Sequence, residues 1–110
     1  MIYDQEDDTL FLSKKSKVKE SIDIGDFIID IDAKGFVTGI EILNASENLK
    51  ISSAQLKMAR EASMSVTYRP NYVYVSLVIR FKDKEKDITI PLSVDLGHGS
   101  LTKKTEFAVV

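Results

Sequence analysis

From Met64 to Leu92 apolar residues recur at every second position, broken only at the turns 69–71 and 82–87, and this constrains the fold more than any other feature. A period of two is the period of a strand with one buried face. Met64, Val66 and Tyr68 alternate with Ser65, Thr67 and Arg69; Val73, Val75, Leu77, Ile79 and Phe81 then form one row. Pro70-Asn71 suits a tight connection, because proline presets φ for a turn. That loop sets Tyr68 opposite Val73 and Val66 opposite Val75. A four-residue turn at Asp83-Lys84-Glu85-Lys86 pairs Phe81 with Ile88, Ile79 with Ile90 and Leu77 with Leu92. Both turns put every large apolar residue on one face, an agreement between levels expected of a foldable pattern. Pro91 lacks an amide donor and marks its strand as an edge strand. After a Gly97-His98-Gly99 loop, Thr105 to Val110 reads as a last strand.

The first half alternates less regularly. Leu10 and Leu12, then Val18, Ile22 and Ile24, carry the apolar positions, interrupted by residues 13–17. Gly25-Asp26 marks a turn. Phe27 to Asp32 and Phe36 to Leu43 read as paired strands around Asp32-Ala33-Lys34-Gly35, with Gly35 at positive φ. Two registers are open. A two-residue loop aligns Ile31 with Phe36 and Phe27 with Ile40, whereas a bulge at Gly35 aligns Ile31 with Val37. Asn44-Ala45-Ser46-Glu47 reads as a short helical turn with Asn44 as its cap. Ser52, with Gln55 three residues on, starts a helix predicted over roughly 53–62, with Leu56, Ala59 and Ala62 on one face.

These elements predict a single-domain α+β protein, mostly β, over residues 1–110. Two antiparallel β-meanders, 1–50 and 63–110, surround one amphipathic helix at 51–62 and share a single core. The predicted core is Val66, Val73, Val75, Leu77, Ile79, Phe81, Ile88, Ile90 and Leu92, with Ile22, Ile29, Ile40 and Ile42 from the first half.

Composition narrows the chemistry. A length of 110 residues fits one core. With no Cys and one His, disulfides, thiolate metal sites and Cys nucleophiles are excluded. The N-terminus is acidic and has no apolar core, unlike a signal peptide, and the apolar runs are far shorter than a membrane span. The expectation is a cytoplasmic protein with no membrane contact. The net charge of −2 hides an asymmetry. Residues 1–50 hold eleven Asp/Glu against six Lys, and residues 51–110 hold nine Lys/Arg against six Asp/Glu.

Four constellations could carry chemistry. Asp30, Asp32, Gly35, Val37 and Glu41 fall at positions one, three, six, eight and twelve of a calcium-loop spacing. Lys34 at position five and strand-like flanks favour a hairpin turn instead. Asp4, Glu6 and Asp8, with Asp7, form an acidic turn that offers oxygen ligands to Ca²⁺ or Mg²⁺ but is equally suited to water. His98 lies between glycines with no acidic orienter or nucleophile motif beside it. Arg69, Tyr72, Tyr74 and Arg80 share the strand face opposite the core row. Tyrosines and arginines can stack on and pair with unpaired bases, but they also make cross-strand pairs and protein contacts. Sheet packing or a protein interface is favoured over nucleic acid.

Tyr3-Asp4-Gln5-Glu6-Asp7-Asp8-Thr9-Leu10 and the stretch from Gly25 to Ser46, with Gly39-Ile40-Glu41-Ile42-Leu43-Asn44-Ala45-Ser46 at its end, resemble the small prokaryotic proteins grouped as domain of unknown function 2283. Tyr3, Asp4, Glu6, Asp8, Leu10, Gly35, Gly39, Ile40, Glu41, Ile42, Ala45 and Ser46 carry the resemblance, over roughly residues 1–50. It implies a small antiparallel meander with a helix and no established enzymatic activity. It also implies, by analogy with relatives encoded beside toxin-like proteins, an antitoxin-like role. No nucleophile–base pair or cofactor fingerprint appears. The expectation is a non-enzymatic binding or regulatory protein without a cofactor. It would act through contacts with a protein partner, a toxin or a second copy in a homodimer. A divalent-cation module and a single-stranded nucleic-acid binder are the alternatives.

Overall fold

The computed structural model describes residues 1–93 and the backbone of a final strand, Lys103–Val109. The second half obeys its alternation closely. β6 (Glu61–Tyr68), β7 (Tyr72–Arg80) and β8 (Glu85–Ser93) follow one another in space, and β9 (Lys103–Val109) returns beside β6. The order is β8-β7-β6-β9, with each neighbouring pair antiparallel. Tyr68 faces Val73 and Val66 faces Val75, as the Pro70-Asn71 loop predicts. β8 is an edge strand, which leaves the missing amide of Pro91 harmless. Its register differs from the expected one. Ile88 lies opposite Leu77 rather than Phe81, and Arg80 lies opposite Glu85. The turn is Phe81 to Lys84, closed by the Phe81 amide donating to the Lys84 carbonyl at 2.8 Å. The slip spans an even number of residues, so the apolar row keeps its face.

The first half is not a meander. β1 (Ile2–Asp4) and β2 (Thr9–Ser13) form a hairpin, and β3 (Glu20–Ile24), β4 (Phe27–Ile31) and β5 (Val37–Ile42) form a consecutive trio. The order is β1-β2-β5-β4-β3, because β5 inserts beside β2. The lysine-rich residues 14–19 account for this. They make a connection too long and too charged for a hairpin, so β3 lands at the far edge rather than next to β2.

Between β4 and β5 the two-residue-loop register is not found, since Phe27 does not face Ile40, and the bulged register holds only at the turn, with the bulge at Thr38 rather than Gly35. Ile31 pairs with Val37, but Asp30 pairs with Gly39 and Phe27 with Ile42, so Thr38 is the extra residue of a bulge. Gly35 sits at φ 84°, as predicted. The Asp32 carboxylate accepts from the Lys34 and Phe36 amides at 2.9 and 3.0 Å, fixing the turn.

The helical segments are two and short, which replaces the single amphipathic helix. α1 is Ala45–Leu49 and α2 is Ser53–Lys57. Ser52 caps α2 by accepting from the Gln55 amide at 3.2 Å, as its sequence predicts. The helix nevertheless stops at Lys57. Met58 is 73% exposed, and Ala62 lies inside β6. Pairing Glu61 and Ala62 with Arg80 and Ile79 wins over extending a helix whose apolar face beyond Leu56 offers only Ala59 and Ala62.

Both sheets and both helices contribute to one hydrophobic cluster. Every predicted core residue is buried in it except Ile22, Phe81 and Ile88, which pack against it half-buried. Leu10, Leu12, Ile31, Val37, Ala45, Leu49, Ile51, Leu56, Ala62, Met64 and Tyr68 are buried with them. Tyr68 is fully buried, and its hydroxyl accepts from the buried Val37 amide at 2.8 Å, the bulge strand of the other sheet. Phe36 packs edge-on against the Tyr68 ring at 5.4 Å. Among the described residues no helix is long and apolar enough to cross a membrane.

Candidate functional site

The outer face of the second sheet is built by the same alternation that builds the core. Along β6 and β7 every second residue is buried, and the others, Ser63, Ser65, Thr67, Tyr74, Ser76 and Val78, stay partly open. At one end of this face the Arg69 amide donates to the Tyr72 carbonyl at 2.9 Å, which closes the hairpin and puts Arg69 beside Tyr72. The Tyr72 and Tyr74 rings meet edge-to-face at 5.2 Å, and Tyr72 is 38% exposed. The Tyr72 phenol beside it pushes the Tyr74 hydroxyl upward, partly offset by the Arg69 charge. Three of the four predicted face residues are therefore together. Arg80 shares the face but lies six residues along β7. Its guanidinium pairs with Glu61 at 2.5 Å and Glu85 at 3.4 Å, and both carboxylates push it further toward the charged form. It closes a three-strand charge row and offers little to a phosphate.

The acidic turn is spent on the fold. The Asp4 carboxylate accepts from the Glu6 and Asp7 amides at 3.0 and 3.3 Å. Asp8 adopts a left-handed conformation at φ 52° and reaches across to α1. Its carboxylate accepts from the Tyr3 hydroxyl at 2.6 Å, the Ser46 hydroxyl at 2.6 Å and the Ser46 amide at 3.1 Å. The Asp8 carbonyl also accepts from the Ala45 amide at 2.8 Å. Asp8 therefore caps α1 from a distance of 38 residues in sequence, where Asn44 was the expected cap. Asn44 sits at φ 49° and makes no side-chain cap bond. Burial pushes the Asp8 carboxyl up, but the Ser46 and Tyr3 donors outweigh it and hold the group low. Burial and the Asp8 partner push the Tyr3 hydroxyl up to about 12.

The calcium spacing resolves into a hairpin. Asp30 accepts from the Ser21 hydroxyl at 2.5 Å, Asp32 holds its own turn, and Glu41 lies opposite Phe11 and Ile28. Burial opposes the Asp32 charge, but the Phe36 and Lys34 amides and nearby lysines hold its carboxyl low. Asp30, Asp32 and Glu41 thus have three separate surroundings. Among the described residues no three His, Asp or Glu side chains gather as metal ligands. His98 lies outside the described residues.

The Tyr3–Asp8–Ser46 cluster is the arrangement that reading for chemistry misses. The signal was present in the resemblance, whose matching residues begin at Tyr3 and end at Ser46, but two ends of a motif show no contact until the chain is folded. Glycine 39 belongs to the same logic. A Cβ there would sit 2.8 Å from the Leu12 carbonyl oxygen and 3.4 Å from the Asp30 carboxylate, so the β2–β5 approach needs its absence.

Comparison with known proteins agrees with the sequence resemblance. An uncharacterised protein of Methanocaldococcus jannaschii is 44% identical over 55 residues, which cover 49% of this chain and 47% of that protein. The chain therefore spans about half the length of this curated relative. No solved structure matches the present chain. Residues 1–46, the stretch from the β1–β2 hairpin to the Ser46 latch, match the model of a family described as protein of unknown function (DUF2283).

Proposed function

We propose that this protein is a non-enzymatic binding protein that acts through protein–protein contacts at the Arg69, Tyr72 and Tyr74 end of the second sheet. One observation carries the reading: two tyrosines packed edge-to-face, beside an arginine, on a sheet face that alternates with a fully buried one. Tyr and Arg supply large contact area and adaptable hydrogen bonds, and they dominate protein interfaces for that reason. The acidic clusters support a metal role less well, because Asp4, Asp8, Asp30 and Asp32 already accept hydrogen bonds from protein donors. Nucleic acid is less well supported, because Arg80 is paired with two glutamates. A cytoplasmic setting, a regulatory role and a toxin-like partner or second copy are the finer form of the proposal.

Photo-crosslinking from a benzoylphenylalanine at position 74 tests it in cells. A discrete protein adduct, lost on Arg69→Ser, is expected. Crosslinks to RNA alone, or no adduct, would overturn the reading.

A further inference from the structure

The first half carries eleven carboxylates and six lysines, yet five of those lysines gather at one place. Lys14, Lys15, Lys17 and Lys19 stand within the six-residue connection from β2 to β3, and Lys34 is on the β4–β5 turn that faces it. Between the two segments lies a cavity of about 450 Å³, lined by residues 16–19, Asp32, Ala33 and Lys34. An adjoining cavity of about 250 Å³ shares Lys19, Asp32, Ala33 and Lys34. The combined size is in the range of small-ligand sites.

The lining suits an anion. Asp32 is the one carboxylate on the larger cavity, Glu20 joins it on the smaller, and the Asp32 Oδ1 already accepts from the Lys34 and Phe36 amides. The Lys17 and Lys19 ammonium groups have no carboxylate partner among the described residues. The five lysines outnumber Asp32 and Glu20, the carboxylates that line the two cavities, so an anion bound there relieves a surplus of positive charge. The backbone fixes the placement. Lys15 is held in the left-handed region at φ 59°, with its amide donating to the Ser13 hydroxyl at 2.9 Å, and the Lys14 amide donates to the Thr38 carbonyl at 3.0 Å. The bulge at Thr38 thereby anchors the lysine connection. Val18, 43% exposed, and Ala33 add an apolar wall between the charges.

We infer that this cavity binds a phosphorylated small molecule of the nucleotide class, its phosphates held by Lys17, Lys19 and Lys34 and its planar part laid on Val18 and Ala33. Lysines act as point charges toward phosphate, whereas a carboxylate ligand would call for the fork of arginine, absent from this half. The site shares no residue with the tyrosine face and does not depend on that proposal.

Calorimetry on the full chain at low salt, with adenosine diphosphate as the probe, tests the inference. Lys17→Gln/Lys19→Gln removes two exposed charges, and Lys82→Gln/Lys84→Gln removes the same charge elsewhere. Binding is expected in the native chain, weakened about ten-fold or more in the first variant and nearly unchanged in the second. Pyrophosphate, with the charge and no planar part, should bind more weakly than the nucleotide. Absence of binding at millimolar probe, or equal loss in both variants, would overturn the site; equal affinity for the two probes would overturn the role of Val18 and Ala33.

Discussion

The two sheets feed one core by different means. In the second, strands of eight or nine residues pair without a bulge through β6, β7 and β8, and side-chain alternation is enough to place them. In the first, strands of three to six residues are broken by a bulge and rejoined out of order. Short strands bury too little to choose their own neighbours, so polar contacts choose for them: Asp8 on Ser46, Asp32 on its turn, and Asn48 on Asp26 and the Leu43 carbonyl. Long regular sheets are specified by pattern, and short irregular ones by individual bonds.

That contrast breaks most visibly under substitution. Leu77→Ala, in the fully buried centre of β7, should cost about 3–4 kcal/mol in urea unfolding, by lost transfer energy and a residual cavity. Asp8→Ala strands the Tyr3 hydroxyl and the Ser46 amide and hydroxyl, and should cost about 2–3 kcal/mol without removing any apolar contact of note. If Asp8→Ala proves as mild as a surface change, the first sheet is held by pattern after all. The same carboxylate gives a pH signature. Its folded pKa lies below the ordinary value, so its contribution is present above about pH 4 and is lost as pH falls through the folded value. Acid unfolding should therefore flatten in Asp8→Asn. At the alkaline end, the raised Tyr3 value makes stability fall as pH rises from 10 toward about 12, and Tyr3→Phe should remove that slope. The smallest effect belongs to the junction. Tyr68→Phe leaves the buried Val37 amide without its acceptor and should cost about 1–2 kcal/mol.

Legibility followed the same division. The face of every residue from Met64 to Ile79, the turn at Pro70-Asn71 and the edge at Pro91 were readable because each depends on local periodicity or on one residue's covalent geometry. Gly35 was readable for the same reason. The β7–β8 register was not. Sliding by an even number preserves the hydrophobic face, so alternation carries no preference between Phe81 and Leu77 as the partner of Ile88. Strand order in the first sheet and the Asp8 cap were also hidden, since both join residues distant in sequence. Charge totals concealed the lysine cavity, because a net of opposite sign over residues 1–50 averages it away.

The Tyr68 hydroxyl has a mechanical consequence. Two sheets joined only by apolar contact can shear past each other in small steps at little cost, because dispersion and hydrophobic burial have no direction. A hydrogen bond does have one. The irregularity at Thr38 frees the Val37 amide from its own ladder and hands it to the opposite layer. What looks like a flaw in one sheet is an index pin for the pair, fixing where the layers stop relative to each other.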